Sequence, residues 1–525
     1  MVNNRPPAAP LIRAIDILTR QPLRSGHIYL FYLLALTLYA LPLIQANYPY
    51  IDDIWRRTSA ATGWAVEGRA GGNYLINLLS VSAGTPDLFP VSLLVAIVVL
   101  AWALMRLAQH WFAQPTAAHL LVLLPFWYNP YYLQVLAYHY ESFTITVGIA
   151  FVILAVIERP QSRLLQWGVP VALLTAALSF YQLIVNVYIG LVCVEILSRG
   201  YAQQGISASV RLITRYIVIL LAALVIYFFT FYQMITLDRG GIVLPDAALF
   251  ISRFSQIAAA IALFFTWANA PVFIPIALLS VAGGIMHVRQ NLLSIPRWAG
   301  RLGYLLLSLV ALLMAVFAVG GANVLLAGFN PGARTFLGLS PLLCLLLWGS
   351  WRALTALHPR STVLLALPLW VCLVFSVLAG QYFDDKKKSE SVMLTMLVTD
   401  IAQHPSLYRA QSIFVVPADN QQRFIATPLC VEAHYPAMRV IASANYVLLP
   451  EQLTQVGITN MGRYWDKNGE VMAAGETVVE NPFYRIRQSG ERAFIQFKRR
   501  AYALPCFNYR ADTLTDNGVD SADVR

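Results

Sequence analysis

Apolar residues run in unbroken stretches of roughly 17 to 25 between residues 29 and 379, each long enough to cross a ~30 Å hydrocarbon layer as a helix. Segments of alternating polarity, the mark of an outer-membrane barrel, do not occur, and continuous apolar chain in lipid must satisfy its own backbone as helix. The pattern predicts eleven spans, at about 29–46, 89–108, 115–130, 142–157, 164–180, 182–198, 213–235, 268–286, 302–320, 335–351 and 361–379. The first reads as a retained anchor, not a cleaved signal, because IYLFYLLALTLYALPLI ends in Gln45, Asn47 and Tyr48 without a small-x-small site. The expected fold is an all-α polytopic membrane protein.

After residue 380 the pattern changes. Charge density jumps at DDKKKSE and lysine occurs for the first time. KSESVMLTMLVTDIAQH has helical spacing, whereas SIFVVPAD, MRVIASANYVLL and RAFIQFKRR read as short strands. The chain therefore divides into an N-terminal segment (1–28), a membrane domain (29–380) with a long first loop (47–88), and a C-terminal α/β or α+β domain (381–525).

Composition excludes a soluble globule: of 525 residues, 58% are hydrophobic and 12% charged, about half the usual charged fraction. A net charge of +11 would suit nucleic acid, but the placement of the charges does not. Every basic residue before Lys386 is an arginine, and the arginines sit at the ends of apolar runs. With the N-terminus in the cytoplasm, fifteen arginines fall inside and six outside, namely Arg56, Arg57, Arg69, Arg239, Arg253 and Arg334, as the positive-inside rule requires. An odd number of spans then puts residues 381–525 outside, in the periplasm of a Gram-negative host. Membrane lipids are the expected surroundings, and the runs KKK and FKRR suit anionic headgroups, a cover over the site or a polysaccharide.

Of the five cysteines, Cys193, Cys344 and Cys372 lie in apolar runs as small buried hydrophobes. Cys430 and Cys506 fall in the exported domain, where either a disulfide or two thiols is possible. No phosphate-binding glycine loop, dinucleotide fingerprint or metal-ligand spacing occurs, so no cofactor or metal is expected.

Polar chemistry concentrates in three segments on the outer side. The first loop carries PYIDDIWRRTSAATGWAVEGRAGGNYLINLL, far longer than a hairpin needs. On a helix, Asp52 with Arg56 and Asp53 with Arg57 are i,i+4 ion pairs. Adjacent carboxylates diverge by about 100°, so one can face a cavity as a general base while the other holds an arginine or the loop. The second segment, YNPYYLQVLAYHYESFTITV, is rich in tyrosines of the kind that line membrane interfaces, Tyr128, Tyr131 and Tyr132 among them. It also holds Tyr138, His139 and Glu141, a carboxylate at the mouth of a span and hence a functional candidate. In the third, SFYQLIVNVYIG, Tyr181, Gln182 and Asn186 stand at an outer turn, fit for substrate contact or for interhelical hydrogen bonds. Asp238 and Arg239 lie outside as well, as does Arg334, which could grip a phosphate or anchor to headgroups.

The order DDIWRR, GW, EGR, NYLINLL and PDLFPVSLLVAIVVLAWALMRL, followed by PYYLQVLAYHYESFTITVGIA and SFYQLIVNVYIG, resembles the Gtr type II serotype-converting O-antigen glucosyltransferases, with similarity strongest over residues 30–200. The family's usual Asp in the second segment is Glu141 here, one methylene longer. The resemblance implies a GT-C-type membrane glycosyltransferase in the bacterial inner membrane. It would move a hexose, glucose by the family's habit, from an undecaprenyl-phosphate sugar to lipopolysaccharide O-antigen on the periplasmic side. A polyprenyl-phosphate sugar synthase and a flippase would supply the donor. On this reading transfer is inverting, with Asp53 favoured over Asp52 as base. Arg56, Arg69 or Arg334 meets the phosphate, and Glu141 orients sugar or acceptor. His139, Tyr138, Tyr181, Gln182 and Trp64 contact substrate, and the lipid enters laterally between spans. Three other readings compete: a GT-C enzyme with another sugar or acceptor, an O-antigen polymerase or ligase, and a transporter or flippase, which needs midplane ionisable groups and inverted repeats. A non-catalytic scaffold is the remainder.

Overall fold

The computed structural model describes residues 16, 18–198, 206–236, 241–243, 246–416, 427–442, 448–462 and 475–497. Asp238, Arg239, Cys506, residues 1–15 and 498–500, and the side chain of Cys430 lie outside them. Two compact units emerge: Met1–Lys387 with Ala437–Leu448, and Lys388–Pro436 with Leu449–Arg525.

In the first unit the helices are α1 (Ser25–Ala46), α2 (Asp53–Ser59), α3 (Ala70–Ser80), α4 (Val91–Trp111), α5 (Ala117–Leu123), α6 (Tyr132–Ala137), α7 (Glu141–Ile157), α8 (Arg163–Phe180), α9 (Val185–Ser198) and α10 (Ile206–Phe229). They are followed by α11 (Ala247–Ala262), α12 (Ala270–Ser294), α13 (Trp298–Gly320), α14 (Leu339–Leu357) and α15 (Ala366–Gln403), which belongs to the second unit from Lys388 on. Among the described residues eight helices are long and apolar enough to cross a membrane, against the eleven expected. The difference lies in short helices. The apolar run at 117–126 bends into a 3-10 turn at Pro125, and α7 has 17 residues. Helix α11 was not expected at all, because serines and Arg253 break its hydropathy; Arg253 is buried, donating to the carbonyls of Val324 and Leu326.

Helix α7 is the hub of this unit. All its residues but Phe151 are buried, between α4 on one side and α8 on the other. The loop 47–88 packs on it through Trp64, Ile76, Tyr140, Phe143, Val147 and Phe180, which form one apolar cluster with Ala96. Two glycines permit the close approach: a Cβ on Gly72 would lie 2.9 Å from the Trp64 ring, and one on Gly71 would collide with Ser179.

Helix α15 runs unbroken through DDKKKSE, and the division between the two units falls within that run, at Lys387 and Lys388. Lys386 is buried over the Tyr48 ring and Lys387 donates to the Ala46 carbonyl, so neither is a free headgroup anchor. In the second unit, α16 (Pro405–Tyr408), α17 (Thr427–His434) and a further helix at Leu448–Gln455 accompany a four-stranded sheet. Strands β1 (Ser412–Val416), β2 (Glu476–Glu480), β3 (Tyr484–Ser489) and β4 (Arg492–Phe497) lie in the order β1-β4-β3-β2, with β1 parallel to β4 and the other pairs antiparallel. Its core joins Ile413, Val415, Ile486 and Ile495 to Leu397 and Ile401 of α15. SIFVV and RAFIQF are strands as expected. The start of MRVIASANYVLL is not: Met438–Ile441 is a helical turn, with Met438 and Ile441 buried in the first unit instead of alternating across a sheet, and residues 443–447 lie outside the described residues.

Candidate active site

The loop between α1 and α2 turns sharply. Asn47 ends α1 in the left-handed region, its N–H on the Leu43 carbonyl, and Ile51 has φ +47°. A β-branched residue seldom adopts that conformation, so the turn ahead of the two aspartates is strained. Asp52 and Asp53 then part company. The Asp52 side chain is 36% exposed and pairs with Arg56 at 3.4 Å. Asp53 is fully enclosed. Its carboxylate accepts the backbone N–H groups of Tyr50 at 3.1 Å, His139 at 2.8 Å and Tyr140 at 3.5 Å. Burial pushes Asp53 up to about 6, against the opposing pull of His139 and Arg56. The expected Asp53–Arg57 pair does not form, since Arg57 reaches Asp87 at 3.1 Å.

Glu141, the first residue of α7, is the centre of a cationic cluster. Its two oxygens meet Arg69 and Arg334, each at 3.0 Å, and Arg69 also approaches Glu67 at 3.5 Å. Burial raises the Glu141 carboxyl, but Arg334, Arg69 and Arg56 outweigh it and hold the group well below the usual carboxylate range. Each arginine lies over an aromatic face, where cations are favoured. Arg69 covers Tyr181 at 4.5 Å, Arg334 covers Tyr138 at 4.9 Å, and Arg56 covers Trp64 at 5.2 Å. Asp52 is close enough to interact electrostatically with Arg334 and Tyr138. Arg56 Nη1 and Trp64 Nε1 are buried donors with no hydrogen-bond partner among the described residues. Such donors are rare in finished cores and suit an acceptor that arrives from outside.

Asp52, Arg56, Trp64, Arg69, Tyr138, Glu141 and Tyr181, from the three outer segments, and Arg334, from a fourth stretch of chain, thus come together. His139 and Asp53 do not join them. The His139 ring stacks on Phe89 at 3.9 Å and donates from Nδ1 to Asp87 at 2.9 Å. Burial pushes Asp87 up, but His139, the Phe89 N–H and Arg57 prevail and keep it below its ordinary value. Gln182 stands beside the cluster: it donates to the Glu67 carbonyl at 2.6 Å and to the Tyr227 hydroxyl at 2.9 Å, holding the turn that carries Arg69. Asn186 serves another neighbour, the turn at Gly320–Ala322.

Four contributors escaped the sequence reading. Asp87, which stands in the run PDLFPV with no role given to it, holds Arg57 and His139. Gln134 accepts the Arg334 backbone N–H at 2.7 Å and donates to the Tyr50 hydroxyl and the Val440 carbonyl, both at 3.2 Å. Tyr50 itself donates to the Ile441 carbonyl, so the turn α18 (Met438–Ile441) is laced to the loop and to the segment that bears Arg334. Glu67 shares Arg69.

A family model described as glucosyl transferase GtrII matches residues 41–345. A protein of Salmonella phage P22, described as an uncharacterized 55.3 kDa protein in the gtrB 5' region, is 25% identical over 170 residues, 32% of this chain. The aligned stretch spans 35% of that relative's length. No solved structure matches. The family match takes in the aspartate loop, Glu141 and Arg334 and covers more than half of the sequence, so this chain belongs to the GtrII glucosyl transferase family.

Proposed function

We propose that the protein transfers glucose from an undecaprenyl-phosphate donor to a hydroxyl of lipopolysaccharide O-antigen, at the periplasmic face of the inner membrane. The N-terminus is cytoplasmic and the C-terminal domain periplasmic in this reading, and the donor comes from a polyprenyl-phosphate sugar synthase and a flippase. The observation that carries the proposal is the bridging of Arg69 and Arg334 by Glu141, with the half-exposed Asp52 beside Arg334.

Transfer from a lipid monophosphate needs a base for the acceptor and positive charge for the leaving group. Asp52, not Asp53, supplies the base, because the Asp53 oxygens are already engaged by backbone amides in an enclosed site. The acceptor hydroxyl gives its proton to Asp52 as its oxygen bonds the anomeric carbon. The bond from that carbon to the phosphate oxygen breaks with its electron pair, and configuration inverts. Arg334, Arg69 and Arg56 face the growing phosphate charge; fixed cations in a dry site act more strongly than in water. Glu141 holds two of them, Arg69 and Arg334, in place, as a positioning residue. The ionisable groups of this cluster sit in loops and at helix ends, which favours a transferase over a transporter with its charges at midplane.

The test is expression of the wild type, Asp52→Asn and Asp53→Asn with a polyprenyl-phosphate-glucose synthase, followed by mass spectrometry of the O-antigen repeat. One added hexose in the wild type and none in Asp52→Asn is expected. An unmodified wild-type repeat counts against the transfer, and full modification in Asp52→Asn removes the base.

A further inference from the structure

Beside the cluster, α3, α8 and α10 leave an open groove of about 680 Å³ with almost wholly apolar walls. Gly71 and Leu78 line it from α3, Gly168, Ala172 and Ala176 from α8, and Ile226 from α10. The three small residues of α8 recur at i, i+4 and i+8, so they stand on one helix face and create the hollow by leaving it empty. From Gly168 to Phe180 the groove follows α8 for about 18 Å, at 1.5 Å per residue.

Both walls lead to the cationic cluster. Arg69 caps the start of α3, two residues before Gly71. Phe180 ends α8, and the next residue, Tyr181, lies under the Arg69 guanidinium. An occupant with a long apolar tail here places a negative head directly at Arg69.

We propose that this groove seats the isoprenoid chain of the donor, an assignment that rests on the transferase reading and specifies its lipid site. Charge placement selects the donor over the acceptor: a polyprenyl phosphate carries its anion at the chain's own end, whereas the acyl chains of lipopolysaccharide lie many sugars away from the O-antigen. The groove fixes the chain, and the phosphate follows to Arg69 and Arg334.

Gly168 provides a test that leaves the protein's own packing in place, since a Cβ there meets nothing within 4 Å. Gly284 on α12 is equally open and is not part of the groove. Full-length wild type, Gly168→Phe and Gly284→Phe are reconstituted in vesicles and assayed with undecaprenyl-phosphate glucose and with a two-isoprene analogue. The Gly168→Phe protein should raise KM for the long donor by about tenfold or more while kcat/KM for the short one stays within about twofold, and Gly284→Phe should change neither. An unchanged KM for the long donor, or an equal loss with both donors, overturns the assignment.

A diazirine-bearing undecaprenyl phosphate separates this idea from the reaction itself. Cross-links at residues 168–176 that Gly168→Phe abolishes support the groove even if the wild type transfers no glucose, in which case only the transferase reading falls. Cross-links that excess phosphatidylglycerol displaces as well as polyprenyl phosphate does would mark a general lipid seat and sink the proposal.

Discussion

Asp52 and Asp53 are neighbours in sequence and opposites in environment, and each stands in a different charged node. The Glu141 node joins three arginines to three carboxylates, Asp52, Glu67 and Glu141, keeps Asp52 and Glu67 partly exposed and backs each guanidinium with an aromatic ring. The Asp53 node, with His139, Asp87 and Arg57, engages the Asp53 carboxylate with backbone amides and covers His139 with a phenyl face. Burial alone does not distinguish catalysis from support. A half-exposed carboxylate beside unmet guanidinium and indole donors does, and the first node has both; the unmet polar atom of the second, His139 Nε2, belongs to a ring held between Phe89 and Asp87.

The comparison predicts its largest effects at the open node. Asp52→Asn and Arg334→Gln should each lower single-turnover transfer by about 10²- to 10⁴-fold, the usual worth of a placed base or charge-stabilising group. Both proteins should still fold, because Asp52 is half-exposed and Arg334 keeps its backbone bond to Gln134. Equal losses in Asp52→Asn and Asp53→Asn would erase the distinction between the nodes.

Glu141 comes next. Glu141→Gln leaves two buried guanidinium groups without their shared anion, a change of about 3–5 kcal/mol for a buried pair, and should cost both activity and melting temperature. Glu141→Asp keeps the charge but shortens the arm, so one of the two 3.0 Å contacts must lengthen. Activity between wild type and Glu141→Gln is expected, measured as kcat/KM for the donor. Loss as deep as in Glu141→Gln would mean that the double bridge, not the charge, is what matters.

Gln134→Leu should act more mildly, by about tenfold, since it removes one neutral hydrogen bond to the Arg334 backbone and leaves buried partners unmet. Its effect should fall on donor KM more than on kcat, and Gln134→Glu, which still accepts from the Arg334 N–H, should recover part of it. No change in KM would show that Arg334 is held by Glu141 alone.

These partners explain how far the sequence could be read. Long apolar runs announce helices, and the acidic and basic residues of the first loop announce chemistry, because both signals are local. The partners are not local. Asp87 draws Arg57 away from its i,i+4 neighbour, and Gln134 joins Tyr50, 84 positions before it, to Val440, 306 positions after it. Helix α11 was hidden by Arg253, whose charge is satisfied by carbonyls more than seventy residues away. The start of MRVIASANYVLL departs from a strand for the same reason: Met438–Ile441 is part of the first unit, where Met438 and Ile441 are buried, and no periodicity within the segment reveals that.

The smallest effect, and the one that most sharpens the contrast, is the pH dependence of Asp53. Burial raises this carboxyl to about 6, so the folded protein binds the proton more tightly than the unfolded chain does. Its stabilising contribution is complete below the unfolded value, declines as pH rises toward about 6 and is constant beyond. Asp53→Asn cannot ionise; its amide oxygen can still accept the Tyr50 and His139 N–H groups, which share one carboxylate oxygen, while its amide nitrogen faces the Tyr140 N–H. The variant should therefore melt below wild type at every pH, with the gap widest near pH 4.5 and narrowing to a plateau above about 6. Thermal unfolding in detergent from pH 4.5 to 7.5 measures this directly. A gap that widens with rising pH would mean that Asp53 is a stabilised anion, and the enclosed node would then resemble the open one in kind.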